Sequence, residues 1–196
     1  MQKLGKIIIL GGTGFIGSQL SAKLSPLCDH ICVLTRNTDT NKNLKLIPNL
    51  EIIQTNILEQ RNLNTIFTGS DVVINTIGIL NEFNEDNTFE IMHFELTKKI
   101  SSAIKHNKIK RYLHISSLTA DPKATSRYLI TKGLAENYIQ SETNNFCNTT
   151  IFRPSIVFGE ADSFFNKFST ILKYSPVFPL ACPNSTFMPI YVHELT

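Results

Sequence analysis

The sequence has few of the residues that build disulfide scaffolds and metal fingers. Tryptophan is absent, and the 196 residues include only three methionines and four cysteines. Cys28, Cys32, Cys147 and Cys182 form neither a C-x-x-C pair nor a metal-ligand spacing. We therefore interpret all four as reduced thiols, which predicts a cytoplasmic protein without a metal site.

Long apolar runs and a strong charge of either sign are missing as well. No run approaches the roughly 20 apolar residues that span a bilayer. The first apolar strand, Lys6–Leu10, begins too early for a secretion signal to precede it. The formal net charge is +3, and basic clusters such as Lys98-Lys99 are short enough to be solvated helix ends. The sequence thus predicts no transmembrane segment and no nucleic-acid partner.

What the sequence does contain is an alternation of short apolar runs with helical patterns. Ile, Val and Leu dominate most of the runs with little apolar-polar alternation, which is typical of strands buried on both faces of a parallel sheet. The predicted strands are Lys6–Leu10, His30–Thr35, Glu51–Thr55, Asp71–Thr76, Arg111–Ser116 and Asn148–Arg153. This alternation predicts an α/β fold with a doubly wound parallel sheet.

Three helices are predicted between these strands. Apolar residues repeat every four positions after residue 15, a second apolar stripe runs from Phe89 to Ile104, and a third helix extends from about Ser126 to Gln140. Gly133 lies inside the third helix, where glycine costs about 1 kcal/mol relative to alanine. The polar stretch Asn37–Asn49 predicts a loop with at most a short helix.

The most specific local motif joins the first strand to the first helix. It reads Gly11-Gly12-Thr13-Gly14-Phe15-Ile16-Gly17, a G-x-x-G-x-x-G spacing. Glycines there permit a tight turn, a close approach to a pyrophosphate and close packing of helix on strand. The helix N-terminus then offers free N–H groups to the phosphates. We predict a dinucleotide site formed by Gly11, Thr13, Gly14, Phe15, Ile16 and Gly17.

The end of the second predicted strand indicates which dinucleotide is bound. An acidic residue there accepts a hydrogen bond from the 2′-hydroxyl of NAD, whereas an arginine neutralises the 2′-phosphate of NADP. The stretch Leu34–Asn37 contains Arg36 and no acidic residue. The sequence therefore favours NADP(H) over NAD(H), the alternative being an arginine that simply lies on the surface.

Two later stretches fit the same ligand. Asn56 and Ile57, after the third strand, could place an amide or a backbone group on the adenine. Thr76 and Gly78 follow the fourth strand at the sheet edge where a dinucleotide lies. Asn and Gly also end strands for turn reasons alone, so each stretch is a weak signal by itself. With the glycine loop, they predict one continuous binding track.

Five motifs occur in order along the chain: GGTGFIG, NTIG, HISS, YLITK and FRPSIVFG. Together they resemble the short-chain dehydrogenase/reductase superfamily, in its extended or atypical branch. Two longer stretches, SSLTADPKATSRYLITKGLAE and IFRPSIVFGEADSFFNKF, are similar to one atypical group in particular. That group includes the NAD(P)H-binding accessory subunit of respiratory complex I, the NADH:ubiquinone oxidoreductase. The resemblance covers essentially the whole chain and implies an NAD(P)-binding Rossmann fold.

The resemblance also implies a catalytic set. Tyr128 and Lys132 are four residues apart and share one helix face. In this family a Lys ammonium lowers the pKa of the tyrosine and binds the nicotinamide ribose, and the tyrosine acts as general acid or base. Ser116 or Ser117, leaving the fifth strand, would hydrogen-bond the substrate oxygen. The alternative for the Tyr-Lys pair is an ordinary helix surface.

The resemblance further implies a longer chain. Relatives continue past Pro189–Leu195 into a substrate-binding lobe. Many of them also carry Asp at the position of Asn56, where an amide can still form a hydrogen bond. We therefore divide the chain into an NAD(P)-binding Rossmann domain, 1–159, and the start of a truncated substrate-lobe region, 160–196. This second region is irregular, with a short helix near Ser163–Lys173. Five phenylalanines either form a docking surface for a partner or pack on the domain itself: Phe164, Phe165, Phe168, Phe178 and Phe187.

Two functions and one nonfunctional alternative follow from these features. The first is an accessory nucleotide-binding protein linked to an NADH:ubiquinone oxidoreductase or to quinone metabolism, cytoplasmic or peripherally associated with an inner membrane complex. The second is a free-standing NADP(H)-dependent oxidoreductase or nucleotide-sugar-type epimerase/dehydratase that uses Tyr128 and Lys132. The third is a remnant that folds poorly without its missing end.

Overall fold

Six parallel strands form the centre of the fold in the computed structural model, which describes residues 3–37, 42–162, 164–174 and 186–196. The strands are β1 (Leu4–Leu10), β2 (Cys28–Thr35), β3 (Leu50–Gln54), β4 (Val72–Asn75), β5 (Arg111–Ile115) and β6 (Asn148–Phe152). Their order across the sheet is β3-β2-β1-β4-β5-β6. The predicted doubly wound fold is confirmed, and no predicted strand end is displaced by more than two residues.

The central strands are buried on both faces because successive side chains point to opposite sides of the sheet. On β1, Ile8 and Leu10 belong to one hydrophobic core, which includes Phe67. Ile7 and Ile9 belong to a second core on the other face. All four of these β1 side chains are 1% exposed or less. The unbroken apolar runs of the sequence are therefore strands packed between two layers.

Four helices cover the sheet: α1 (Phe15–Leu24), α2 (Gln60–Ile66), α3 (Leu96–His106) and α4 (Arg127–Ser141). Short 3₁₀ turns occupy Ser25–Leu27, Lys42–Leu46 and Thr143–Asn145. The long predicted helix begins as a π-helix, Glu90–Glu95, which continues into α3. Helix α2 was not predicted, because its sequence QRNLNTI is mostly polar and only Leu63 is buried.

The end of the chain is more regular than the sequence predicts. It forms β7 (Val157–Phe158), α5 (Phe165–Tyr174), β8 (Ile190–Tyr191) and α6 (Val192–Leu195), and β7 pairs with β8 in parallel. The predicted short helix is present as α5, and the two-residue strands and α6 are additions that the sequence did not predict. Strands of two residues are too short to give a periodic signal.

Val192, at the start of α6, is 1% exposed and lies against Gly159 and α1. Lys23 of α1 donates a hydrogen bond to the carbonyl of His193. Three of the cysteines, Cys28, Cys32 and Cys147, are buried free thiols, as predicted, and Cys182 lies outside the described residues. Among the described residues, no helix has the length and apolar character needed to cross a membrane.

Candidate dinucleotide site

The candidate site lies where β1 and β4 end side by side. The connections from these two strands leave in opposite directions across the sheet, which opens a crevice at their carboxyl ends. Thr76 joins the ends of the two strands at the base of this crevice, since its N–H and its hydroxyl both donate to the Leu10 carbonyl at 2.9 Å. Two cavities of about 330 and about 320 Å³ open there. They share four lining residues: Gly11, Gly14, Thr76 and Gly78.

The glycine loop is held closed by contacts that only glycine allows. Gly11 has a φ of +75°, and a Cβ on it would lie 2.8 Å from Thr76 Oγ1. A Cβ on Gly17 would lie 2.3 Å from the Gly11 carbonyl oxygen. The N–H of Gly14 donates to that same oxygen at 2.9 Å. The loop thus brings the N-terminus of α1 to the crevice, where the sequence predicts that a pyrophosphate binds.

The cavity that extends from the glycine loop toward the end of β2 is called the first cavity. Seven predicted residues line it: Gly11, Thr13, Gly14, Arg36, Ile57, Thr76 and Gly78. Arg36 is exposed, and its guanidinium donates to the Asn87 amide oxygen. Asn87 in turn donates to Asn84 Oδ1 at 2.7 Å. An arginine side chain is therefore present at the cavity wall, oriented by an asparagine that the sequence did not point to as a site residue.

Asn56 does not line either cavity. Its side-chain oxygen accepts from the Leu58 N–H at 3.0 Å, and its Nδ2 donates to Glu59 at 3.1 Å. Both ends of the amide are thus used in the turn that leads into α2. Ile57 is buried and faces the first cavity, so the structure brings only one of these two predicted residues to the site.

The cavity that extends from the glycine loop toward α4 is called the second cavity. Its predicted lining residues are Gly11, Gly14, Phe15, Ile16, Gly17, Thr76, Gly78, Ser116, Tyr128 and Lys132. Ser116 is 5% exposed, and its hydroxyl is one of three buried polar side-chain atoms without a partner in the described part of the chain. Ser117 does not line the cavity, but it is a hydrogen-bond partner of Tyr128. An unpaired buried hydroxyl is costly, which makes Ser116 a candidate ligand contact.

Lys132 is the buried charge of the second cavity. It is 2% exposed, and its Nζ donates to the carbonyl of Ile115 at 3.0 Å and to that of Ile77 at 3.3 Å. Burial lowers its pKa to about 8, against the raising effect of Glu136 one helical turn away. Glu136 is itself buried and paired with Arg153. Since a lysine ammonium has three donors, one is left for a ligand.

Tyr128 faces the same cavity with its phenol in the protonated form. Burial raises its pKa, and the hydrogen bond to Ser117 only partly offsets this. The Lys132 ammonium donates to two backbone carbonyls, and a lowering of the Tyr128 pKa by Lys132 stays a prediction.

His93, in the π-helix, is a site residue that the sequence analysis missed. Its Nε2 accepts the N–H of Ile79 at 3.1 Å, and its Nδ1 lies 3.0 Å from the Thr131 hydroxyl. Burial is the larger cause and the charge of Lys132 the smaller one, and together they lower the pKa of His93 to about 3. The ring is therefore neutral. The imidazole also meets the Tyr128 ring edge-on, with centroids 5.3 Å apart. His93 thus ties the loop after β4 to the helix that carries Tyr128 and Lys132.

Gly133 has a packing role that the sequence did not reveal. A Cβ on it would lie 2.5 Å from the backbone of Asp121 and of Pro122. The glycine lets the chain after β5 cross α4 at close range, directly beside Lys132. Its helix-weakening effect is therefore tied to a contact that positions the site.

The phenylalanines near the end of the chain pack on one another and stay partly exposed. Phe165, Phe168 and Phe187 are 40%, 37% and 58% exposed. Phe164 contacts each of them, with ring centroids 4.9 to 6.4 Å apart. Phe164 also lines the second cavity. Phe178 lies outside the described residues.

Comparison with known proteins adds a family and two kinds of relative. Residues 7–173 match the model of the NAD dependent epimerase/dehydratase family. The chain is 30% identical over 194 residues to the mitochondrial NADH dehydrogenase (ubiquinone) 1 alpha subcomplex subunit 9 of Arabidopsis thaliana, covering 95% of this chain and 47% of that protein. It is 28% identical over 183 residues to the mitochondrial NADH-ubiquinone oxidoreductase 40 kDa subunit of Neurospora crassa, covering 86% and 48%.

The chain thus spans about half the length of the curated relatives it matches. Among solved structures, a UDP-N-acetylglucosamine 4-epimerase from Methanobrevibacter ruminantium M1, in complex with UDP-N-acetylmuramic acid, has a TM-score of 0.83. It is 22% identical and is covered over 71% of its length by 100% of this chain. That likeness supports the fold.

Proposed function

The chain belongs to the NAD dependent epimerase/dehydratase family, and from this premise we propose that it is a nucleotide-binding accessory component of an NADH:ubiquinone oxidoreductase assembly. The observation that carries the proposal is the match over 194 residues to a protein named as an NADH dehydrogenase subunit. The crevice at the ends of β1 and β4 supports it, because its glycine loop is closed in the form that a pyrophosphate needs.

We propose NADP(H) as the preferred dinucleotide. The first cavity would hold the adenine and its ribose, with Ile57 against the base and Arg36 on the 2′-phosphate. The second cavity would hold the nicotinamide end, with the free donor of Lys132 on the ribose hydroxyls. The residues present fit such a group, since the glycine cradle would be filled by any Cβ and the Ser116 hydroxyl has no protein partner.

The second candidate function is an NADP(H)-dependent oxidoreductase or nucleotide-sugar-type epimerase/dehydratase. The observation that favours it is the convergence of Ser116, Tyr128 and Lys132 on one cavity. A bound nicotinamide supplies hydride chemistry. Because the pKa of Tyr128 is raised, its phenol is protonated near neutral pH and would donate its proton to a carbonyl oxygen. Ser116 would hydrogen-bond that oxygen.

We further propose that 1–159 is the nucleotide-binding domain and that 160–196 begins a substrate lobe. The exposed rings of Phe165 and Phe187 support a docking role for this second region, because apolar side chains of this size are more often covered. The partner would be a subunit of the respiratory assembly, and the chain would then lie peripherally on an inner membrane complex.

Tyr128→Phe separates the two functions. If the chain is an accessory protein, the NADPH affinity of Tyr128→Phe should lie within about threefold of the wild-type value. The free energy lost is then smaller than that of one typical hydrogen bond. Neither protein then oxidises NADPH over a broad panel of carbonyl compounds, and the wild type co-fractionates with the membrane-bound oxidoreductase. Tyr138→Phe is the matched control, since Tyr138 lies on the same helix outside both cavities. Turnover in the wild type and in Tyr138→Phe, lost only in Tyr128→Phe, would establish the enzyme instead.

A further inference from the structure

Three side chains with metal-ligating atoms meet near the amino ends of β2 and β3, at the side of the sheet opposite the crevice. His30 and Cys32 lie two residues apart on β2 and therefore share one face. Glu51 on β3 pairs directly with Cys32 in the strand register. The three ligand atoms lie within 4.8 Å of one another. The two-residue spacing aligns His30 with Cys32, and the pairing of β2 with β3 brings Glu51 to them.

The distances within the set are close to those of a tetrahedral site. Cys32 Sγ is 3.6 Å from His30 Nδ1 and 3.8 Å from Glu51 Oε2, and His30 Nε2 is 3.7 Å from Glu51 Oε2. Zinc binds sulfur at about 2.3 Å and nitrogen or oxygen at about 2.0–2.2 Å, so the edges of its tetrahedron are about 3.3–3.7 Å long. Small rotations of the two longer side chains would bring one ring nitrogen and one carboxylate oxygen into place.

The surroundings favour a site with three protein ligands. Cys32 is 1% exposed, while the side chains of His30 and Glu51 are 42% and 57% exposed. A cation can therefore enter from solvent and keep a water as its fourth ligand. Lys6 pairs with His30 in the register, but its ammonium donates to the carbonyls of Ile66 and Thr68 at 2.9 and 3.0 Å. The Lys6 ammonium is thus directed toward these backbone oxygens and does not occupy the space between His30, Cys32 and Glu51.

We propose that His30, Cys32 and Glu51 form a binding site for one zinc ion, with an open fourth position. A thiolate, an imidazole and a carboxylate are a donor set that suits zinc, and cobalt(II) can replace zinc in such sites. The bound ion would link the edge strand β3 to β2. The proposal revises the prediction of no metal site, and it does not depend on the proposed function.

Titration of the purified 196-residue chain with Co²⁺ tests the site directly. We expect one equivalent to produce the thiolate-to-cobalt charge-transfer band and the visible bands of tetrahedral cobalt, and one equivalent of Zn²⁺ to bleach both. Cys32→Ser abolishes the charge-transfer band. His30→Gln and Glu51→Gln, two partly exposed positions whose variants should fold, weaken Co²⁺ binding by more than about tenfold. Cys147→Ser, another buried thiol, leaves the spectrum unchanged.

Thermal unfolding gives a second readout. Zn²⁺ raises the Tm of the wild type and of Cys147→Ser, and this rise is lost in His30→Gln and Glu51→Gln, because only a folded site binds the ion. A chain that shows no cobalt bands overturns the proposal. Bands that survive in Cys32→Ser, or that are lost in Cys32→Ser but kept in both His30→Gln and Glu51→Gln, overturn it as well.

Discussion

The two cavities of the crevice share a wall of glycine and threonine but differ in the groups they present. The first cavity offers backbone, apolar side chains, the polar residues Thr13, Thr35 and Asn37, and the exposed charge of Arg36. The second offers the buried Lys132, the buried Ser116 hydroxyl and the partly buried Tyr128. Charges and hydroxyls removed from water interact more strongly with a ligand than exposed ones do. Under the proposed function, the first cavity would select the nucleotide and the second would carry the groups for proton transfer.

The largest effect is expected from a change that damages both halves at once. In Gly17→Ala the new methyl would lie 2.3 Å from the Gly11 oxygen and 2.6 Å from Gly12 Cα, and backbone atoms cannot turn aside. We expect a loss of about 2–4 kcal/mol in the free energy of unfolding. NADPH affinity should fall by more than about 100-fold, since the loop can no longer approach the pyrophosphate.

Denaturant unfolding and fluorescence titration of NADPH measure these two losses. Gly69→Ala is the matched control: Gly69 has a φ of +70° but no atom within 4 Å of an added Cβ. It should cost about 1–2 kcal/mol of stability through backbone strain and leave NADPH affinity intact. Equal affinity losses in the two variants would mean that global stability, and not the loop, controls binding.

The next effect concerns the second cavity and pH. Burial lowers the pKa of Lys132 from 10.5 in the unfolded chain to about 8, so between these values the unfolded chain binds more protons than the folded one. Stability from this group therefore rises as the pH goes up from about 8 to 10.5, by at most about 1.4 kcal/mol per pH unit. Lys132→Met should lack that rise.

The measurement is the free energy of unfolding of both proteins across this pH range, compared as a difference. Subtraction removes the titration of cysteines and tyrosines that the two proteins share. A difference that stays flat with pH would show that Lys132 is solvated like a surface lysine, and the contrast between the two cavities would then disappear.

A smaller effect is expected in the first cavity. Arg36→Ala should lower the ratio of NADPH to NADH affinity by about tenfold, because one charge-assisted contact to the 2′-phosphate is lost. NADH affinity itself should be nearly unchanged. Isothermal titration with both nucleotides gives the ratio, and Arg61→Ala on the exposed side of α2 is the control. An unchanged ratio would return Arg36 to the role of a surface arginine.

The smallest effect is expected at Asn56. Its amide is used in the turn before α2, so Asn56→Ala should cost about 0.5–1.5 kcal/mol of stability. NADPH affinity should change by less than about twofold, because the side chain does not line the first cavity. A larger loss of affinity, seen by the same titration, would restore the predicted adenine contact and extend the first cavity to this turn.

The parts of the fold that follow from local chemistry could be predicted. The run Ile7–Leu10 consists of three β-branched isoleucines and a leucine, and such a continuous apolar run predicts a strand that is buried on both faces. Helix α2 could not be predicted, because only one of its seven side chains is buried and its sequence therefore shows no apolar stripe. Its stability comes from tertiary packing. The π-helix at Glu90–Glu95 could not be predicted either, since an apolar stripe does not distinguish a π-helix from an α-helix.

The site divides in the same way. Gly17, Tyr128 and Lys132 belong to motifs with fixed spacing, and each lines the crevice. His93 and its partner Thr131 are 38 residues apart, and His93 belongs to no motif, while Thr131 lies inside YLITK without a predicted role. A lone histidine on an apolar helix face gives no sign that it accepts a backbone N–H from the loop after β4. Contacts of this kind exist only after the chain has folded.

The pairing of β7 with β8 has a consequence for how this molecule can change over evolutionary time. The two strands are hydrogen-bonded to each other, and the buried Val192 packs against Gly159 where the chain returns. The stretch between Phe158 and Ile190 is thus a detour with both ends anchored. Each doubling of such a detour costs only about 0.6 kcal/mol in chain entropy. It is therefore a place where the chain can be lengthened at little cost, and because Asp162 and Phe164 of this stretch line the second cavity, such a change would reshape the second cavity and leave the first one as it is.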